Sequence, residues 1–71
     1  MEHTLTLKDD FGRVHTLVFT AVAGGSIKMT YYKNYTQKSS FVNTLANARR
    51  RWDEYTGQGW KATSTNEKEI I

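Results

Sequence analysis

The stretch VHTLVFTAVAGGSIKMTYY, residues 14–32, decides the fold. Two runs rich in β-branched and aromatic residues flank Gly24-Gly25, a pair suited to the positive φ angles of a tight hairpin. In the first run Leu17, Phe19 and Ala21 alternate with Val14, Thr16, Val18, Thr20 and Val22. Both faces are therefore semi-apolar, which suits a central strand better than an edge. The second run extends from Ser26 to about Tyr32, with continuation through Thr36 left open. Its Ile27, Met29 and Tyr31 face one way, and Lys28, Thr30 and Tyr32 the other.

Upstream, Leu5 and Leu7 alternate with Thr4, Thr6 and Lys8, so His3 to Lys8 reads as a third half-buried strand. Asp9-Asp10-Phe11-Gly12 then forms a turn, with aspartates able to bond nearby backbone. Downstream the period changes. Ser39 or Ser40 is a suitable N-cap, and Phe41, Leu45, Ala48, Trp52 and Tyr55 form one apolar stripe of a helix. Arg49–Asp53 and Arg50–Glu54 are candidate ion pairs one helical turn apart. Gly57 is the expected left-handed residue after the helix, Gln58-Gly59-Trp60 turns the chain back, and Lys61 to Thr65 forms a short strand or lies loose. The expected architecture is α+β: a three-stranded antiparallel meander with room for a fourth strand, followed by one amphipathic helix on one sheet face. Residues 1–65 form the domain and residues 66–71 a flexible tail.

Composition narrows the function. A 71-residue chain without cysteine has no disulfide framework and no thiolate zinc site. No apolar stretch exceeds three residues, as in Ala21–Ala23, too short for a bilayer span or a signal-peptide core, so no membrane partner is expected. A core this small gives marginal stability, which self-association would relieve.

Catalytic signals are sparse. The two glycines lie between strands and lack the following Gly-Lys-Ser/Thr of a phosphate loop. Of the two histidines, His3 is near the chain start and His15 lies beside the first turn. His15 paired with Asp9 or Asp10 would suit acid–base work. The plainer reading is a strand histidine and a solvated carboxylate. Nor do these residues show metal-ligand spacing. We therefore expect no enzyme, cofactor or metal.

Charge says more. Residues 26–51 contain no acidic group and carry +6, from Lys28, Lys33, Lys38, Arg49, Arg50 and Arg51, so the net +3 hides a basic segment. Tyr31, Tyr32 and Tyr35 interleave with its lysines. Cations for phosphates and tyrosines for stacking are what single-stranded DNA or RNA needs. Against this, Tyr31 shares a face with Ile27 and Met29, and the arginines suit the wet side of a helix. The second feature is the sheet face a single helix leaves open. If Leu17, Phe19, Ile27 and Met29 meet the helix, then Val14, Thr16, Val18, Thr30 and Tyr32 lie on it, with Thr20 and Lys28; a one-residue slip would swap the faces. Such semi-apolar faces mark protein contacts.

The segment from Ala48 to Lys61, written Ala-x3-Trp-x2-apolar-x3-Gly-Trp-basic, resembles the C-terminal signature of short uncharacterised proteins from marine cyanobacteria and their phages. It covers fourteen of the 71 residues. The resemblance implies strands followed by a helix closing in a Gly-Trp turn, with Ala48, Trp52, Tyr55, Gly59 and Trp60 in structural roles. It also implies a bacterial or phage cytoplasm and action on a host component. The leading expectation is thus a non-enzymatic protein acting by protein–protein contact, as a homodimer or as an adaptor or inhibitor of a larger host protein. The alternative is single-stranded nucleic-acid binding through Lys28, Lys33, Tyr35, Lys38 and Arg49 to Arg51, with Tyr32.

Overall fold

The computed structural model describes residues 2–63. Its strands are β1 (Glu2–Lys8), β2 (Val14–Val22), β3 (Ser26–Lys33), β4 (Thr36–Asn43) and β5 (Lys61–Ala62), with one helix, α1 (Leu45–Gly57). All pairings are antiparallel, and the sheet order is β4-β3-β2-β1-β5. The chain is therefore an α+β fold with five strands where three or four were expected. The expected tail, residues 66–71, lies outside the described residues.

The β2–β3 hairpin forms where Gly24-Gly25 indicated. A single 3₁₀ turn over Ala23–Gly25 makes the reversal, and both glycines take positive φ. The pleat then sets the faces. Cross-strand register builds a row His3–Phe19–Met29–Phe41, a row Leu5–Leu17–Tyr31–Ser39 beside it, and Ala21–Ile27–Asn43 on the other flank. Phe19, Leu5 and Met29 are fully buried there, beneath Ala48 and Trp52 of the helix. Burying a side chain the size of Phe19 stabilises the fold by about 1.5–3 kcal/mol. The Trp52 ring meets Phe19 edge-on at 5.3 Å and His3 at 6.2 Å. The register puts Leu17, Phe19, Ile27 and Met29 on the helix side and Val18, Thr30 and Tyr32 opposite, a choice of face that the alternation alone leaves open.

Residues 36–43 depart from the sequence reading. Ser39, Ser40 and Phe41 lie on β4, not in the helix, and β3 ends at Lys33 instead of continuing through Thr36. The reversal uses Asn34 and Tyr35, both left-handed with φ of 49° and 66°. A tyrosine there lacks the usual turn chemistry, so an anchor outside the turn compensates. Asn34 N–H donates to the Val14 carbonyl at 2.7 Å, and its Oδ1 accepts from the Val14 N–H at 3.0 Å. With the chain returned beside β3, the backbone of TQKSSFVN completes a ladder despite its polar, non-alternating sequence. A bulge opposite Tyr31/Tyr32 absorbs one residue.

The helix consequently starts later than the serines implied. Thr44 is its N-cap, accepting from the Asn47 N–H at 3.2 Å. Its C-terminus also differs: Gly57 is the last helical residue and Gly59 takes the positive φ, at 102°. Trp60 N–H donates to the Tyr55 carbonyl and Gly59 N–H to that of Thr56, the paired bonds of a Schellman cap. The Tyr55 and Trp60 rings, 5.2 Å apart, supply its apolar contact. That cap aims the chain back along the sheet, where Lys61–Ala62 pairs with Leu5 and Thr6. Neither expected helical ion pair, Arg49–Asp53 or Arg50–Glu54, is formed among the described residues; Arg51 instead pairs with Glu54 at 3.4 Å.

Candidate functional site

Three features warrant a functional reading: a pocket beside the helix end, the face away from the helix, and the β4 edge. The pocket lies beside the C-terminal end of α1. Ala48 and Trp52 cover the central rows, and the chain then turns at Gly59. The register row Leu7–His15 is left under Tyr55 and Trp60. The resulting cavity of about 440 Å³ has Leu17, Met29 and Phe41 among its walls and His15, Tyr31 and Ser39 as polar lining. That is within the size range of small-molecule sites.

His15 is held on both nitrogens. Nδ1 lies 2.7 Å from the Tyr31 hydroxyl and Nε2 lies 2.9 Å from Asp9 Oδ2. The Tyr31 ring is nearly parallel to the imidazole, and Trp60 approaches it edge-on at 6.3 Å. Asp9 in turn closes the β1–β2 turn. Its Oδ1 accepts from the Phe11 and Arg13 backbone N–H groups, both at 2.9 Å, and its Oδ2 accepts from Arg13 Nε at 2.8 Å. The His15 hydrogen bond, then those from Arg13 and Phe11, hold the Asp9 carboxyl well below the usual carboxylate range, against a smaller opposing effect of burial. Asp9 is therefore a carboxylate at any ordinary pH. The Asp9–His15 pairing was one the sequence allowed, and Asp10 takes no part in these contacts. Tyr31 was not foreseen as its third member, because a tyrosine sharing a face with Ile27 and Met29 reads as core.

The face away from the helix carries Val14, Thr16, Val18, Thr30 and Tyr32 as expected, but presents them unequally. Val14, Thr16, Val18 and Tyr32 are half-buried, and Thr30 is only 6% exposed, its hydroxyl 3.3 Å from that of Ser40. The basic residues do not converge. Lys28 lies on this face, Arg49, Arg50 and Arg51 are exposed on the helix across the sheet, and Lys33 is in register with His15. Tyr32 and Tyr35 do share a shallow groove of about 290 Å³, which also contains Glu2.

The β4 edge was missed altogether. From Thr36 to Val42 every residue is exposed, and among the described residues the strand has a neighbour on only one side. Phe41 is 49% exposed on the helix side and Val42 is 59% exposed on the other. Lys38 is its sole charge. Natural edge strands usually blunt such a profile with charge, proline or brevity. The opposite edge is shorter, with β5 covering Leu5 and Thr6 and the Thr63 N–H donating to the Thr4 carbonyl. Two further exposed aromatics, Phe11 and Tyr35, sit on the turns at one end of the sheet.

Among the described residues there is no group of three or more His, Cys, Asp or Glu side chains placed to hold a metal ion. No described helix is long and apolar enough to cross a membrane. No protein-family model, curated protein or solved structure matches the chain.

Proposed function

We propose that this chain is a non-enzymatic binding protein that works by strand pairing through β4, with a second copy of itself as the partner. The observation that carries this is the eight-residue edge, exposed from Thr36 to Val42, with apolar side chains on both faces of its C-terminal half. Such an edge offers unpaired backbone N–H and C=O groups, which give strand addition its affinity, while flanking side chains give its specificity. Antiparallel pairing of β4 with its own copy is charge-compatible. In a register centred on Ser40, Lys38 faces Val42 of the second copy and Ser39 faces Phe41. The two lysines never oppose each other. The edge adds backbone hydrogen bonding that the flat face around Val18 and Tyr32, with its half-buried side chains, cannot offer.

Sedimentation equilibrium from micromolar to millimolar protein tests this. The wild type is expected to dimerise, and Val42→Lys or Phe41→Lys to weaken the dimer by about tenfold or more, since each sets a charge into the paired edge. Both positions are exposed in the monomer, so the fold is expected to persist. A wild type that sediments as a monomer throughout overturns self-pairing.

Single-stranded nucleic acid is the weaker reading. The groove shared by Tyr32 and Tyr35 supports it, whereas Glu2 in that groove and the separation of Lys28 from the helix arginines oppose it. An oligonucleotide titration at low salt decides: binding that falls steeply with added salt would favour it, and no binding removes it.

A further inference from the structure

We propose that the pocket beneath Tyr55 and Trp60 binds a small aromatic molecule carrying one hydrogen-bond donor, of the indole or phenol type, with the Tyr31 hydroxyl oxygen as its acceptor. The inference does not rest on pairing through β4. It follows from the direction in which protons are distributed along Asp9, His15 and Tyr31.

Asp9 receives four donors, two on each oxygen: the Phe11 and Arg13 backbone N–H groups on Oδ1, and Arg13 Nε and His15 Nε2 on Oδ2. A carboxylate so placed has only acceptors to offer, so in its neutral form the His15 ring carries its proton on Nε2. Nδ1 is then a bare acceptor, and the group 2.7 Å from it must donate. That group is the Tyr31 hydroxyl, which has one proton and directs it to His15. What Tyr31 retains for the pocket is lone pairs alone. The other chemistry around the cavity is mainly apolar and aromatic, from Leu17, Met29, Phe41, Tyr55 and Trp60. The tilted Tyr55–Trp60 pair presents ring edges and faces to a flat guest. A flat ring matches these walls, and a donor on it meets the acceptor that the relay leaves. A guest bearing only an acceptor at that point would set two sets of lone pairs against each other.

Indole and benzofuran make a matched pair for the test, alike in size and shape, the first with a ring N–H and the second with an oxygen acceptor in its place. Titration of each into ¹⁵N-labelled protein, followed by NMR, locates binding at the Trp60 indole N–H and the Ser39 amide and yields both affinities. The expected result is about three- to tenfold tighter binding of indole, the net worth of one hydrogen bond. In Tyr31→Phe the preference is expected to vanish while benzofuran binds as before. Asp9→Asn gives an independent reading that leaves the pocket lining intact. Its amide oxygen keeps the backbone donors on Oδ1, so its NH₂ faces His15 Nε2 and shifts the ring proton to Nδ1. The Tyr31 proton is then released toward the pocket, and the preference for indole is expected to fall or reverse. Absence of binding to the wild type, equal affinities, or a preference that survives in whichever variant folds would each overturn the proposal.

Discussion

Asp9 shows how much one side chain does in this protein. It closes the β1–β2 turn through two backbone N–H groups, pairs with Arg13 and orients His15 for Tyr31. Its depressed carboxyl has a definite consequence for stability. A carboxylate with a lower pKa folded than unfolded stabilises fully above its unfolded value, about 3.9, and that stabilisation fades as pH falls below it. Urea unfolding followed from neutral pH down to about pH 2 is expected to show this acid limb. Asp9→Asn is expected to be less stable at neutral pH and to approach the wild type in acid, because protonation has by then removed what the substitution removes. Asn34 works similarly at the other turn, where two bonds to Val14 hold a reversal whose second residue, Tyr35, is poorly suited to its conformation.

At the scale of elements, the end of α1 links packing to the pocket. The Schellman bonds from Gly59 and Trp60 direct the chain back over the sheet, and Trp60 thereby roofs the cavity and leads into β5. Gly59 makes this possible at φ 102°, where an L side chain is strained. A Cβ there would meet nothing within 4 Å, so the penalty of Gly59→Ala is conformational and not a clash. The variant is expected to lose about 1–2 kcal/mol in chemical denaturation. Its Trp60 side-chain NMR signal is expected to move toward that of a free indole, whereas a merely global loss of stability would leave the native signal in place. Among the described residues nothing covers the outer edge of β4, and strand pairing there is the expectation tested by Val42→Lys.

At the largest scale, among the described residues one small helix and a five-stranded sheet share a core of seven buried apolar side chains, of which Trp52 joins α1 to β1 and β2. Truncating a buried tryptophan costs about 3–5 kcal/mol, and a core in a domain this short supplies about as much in total. Trp52→Ala is therefore expected to abolish the cooperative unfolding transition, as seen by far-ultraviolet circular dichroism. Trp52→Phe, which keeps an aromatic ring against Phe19, is expected to remain folded with a lowered midpoint. Full folding of Trp52→Ala would mean that the sheet holds itself together without the helix.

Much of the architecture is legible along the chain, because it rests on short-range preferences. Alternation in residues 14–22 and 26–32 predicts two strands and which residues share a face, Gly24-Gly25 the turn between them, and the stripe Phe41–Leu45–Ala48–Trp52–Tyr55 the helix, of which Phe41 lies on β4 instead. The sequence by itself determined these, since pleat and helical period act over a few residues. Residues 36–43 are different. TQKSSFVN has neither period, and it becomes a strand because β3 offers an unpaired edge and Asn34 is anchored to Val14, twenty residues away. The site divides in the same manner. His15 beside Asp9 follows from a tight turn, but Tyr31 joins them only through the β2–β3 register, and Trp60 only through the cap at Gly59. Those decisions belong to the tertiary structure, because hydrogen bonding and burial are completed by neighbours in space that local pattern does not encode.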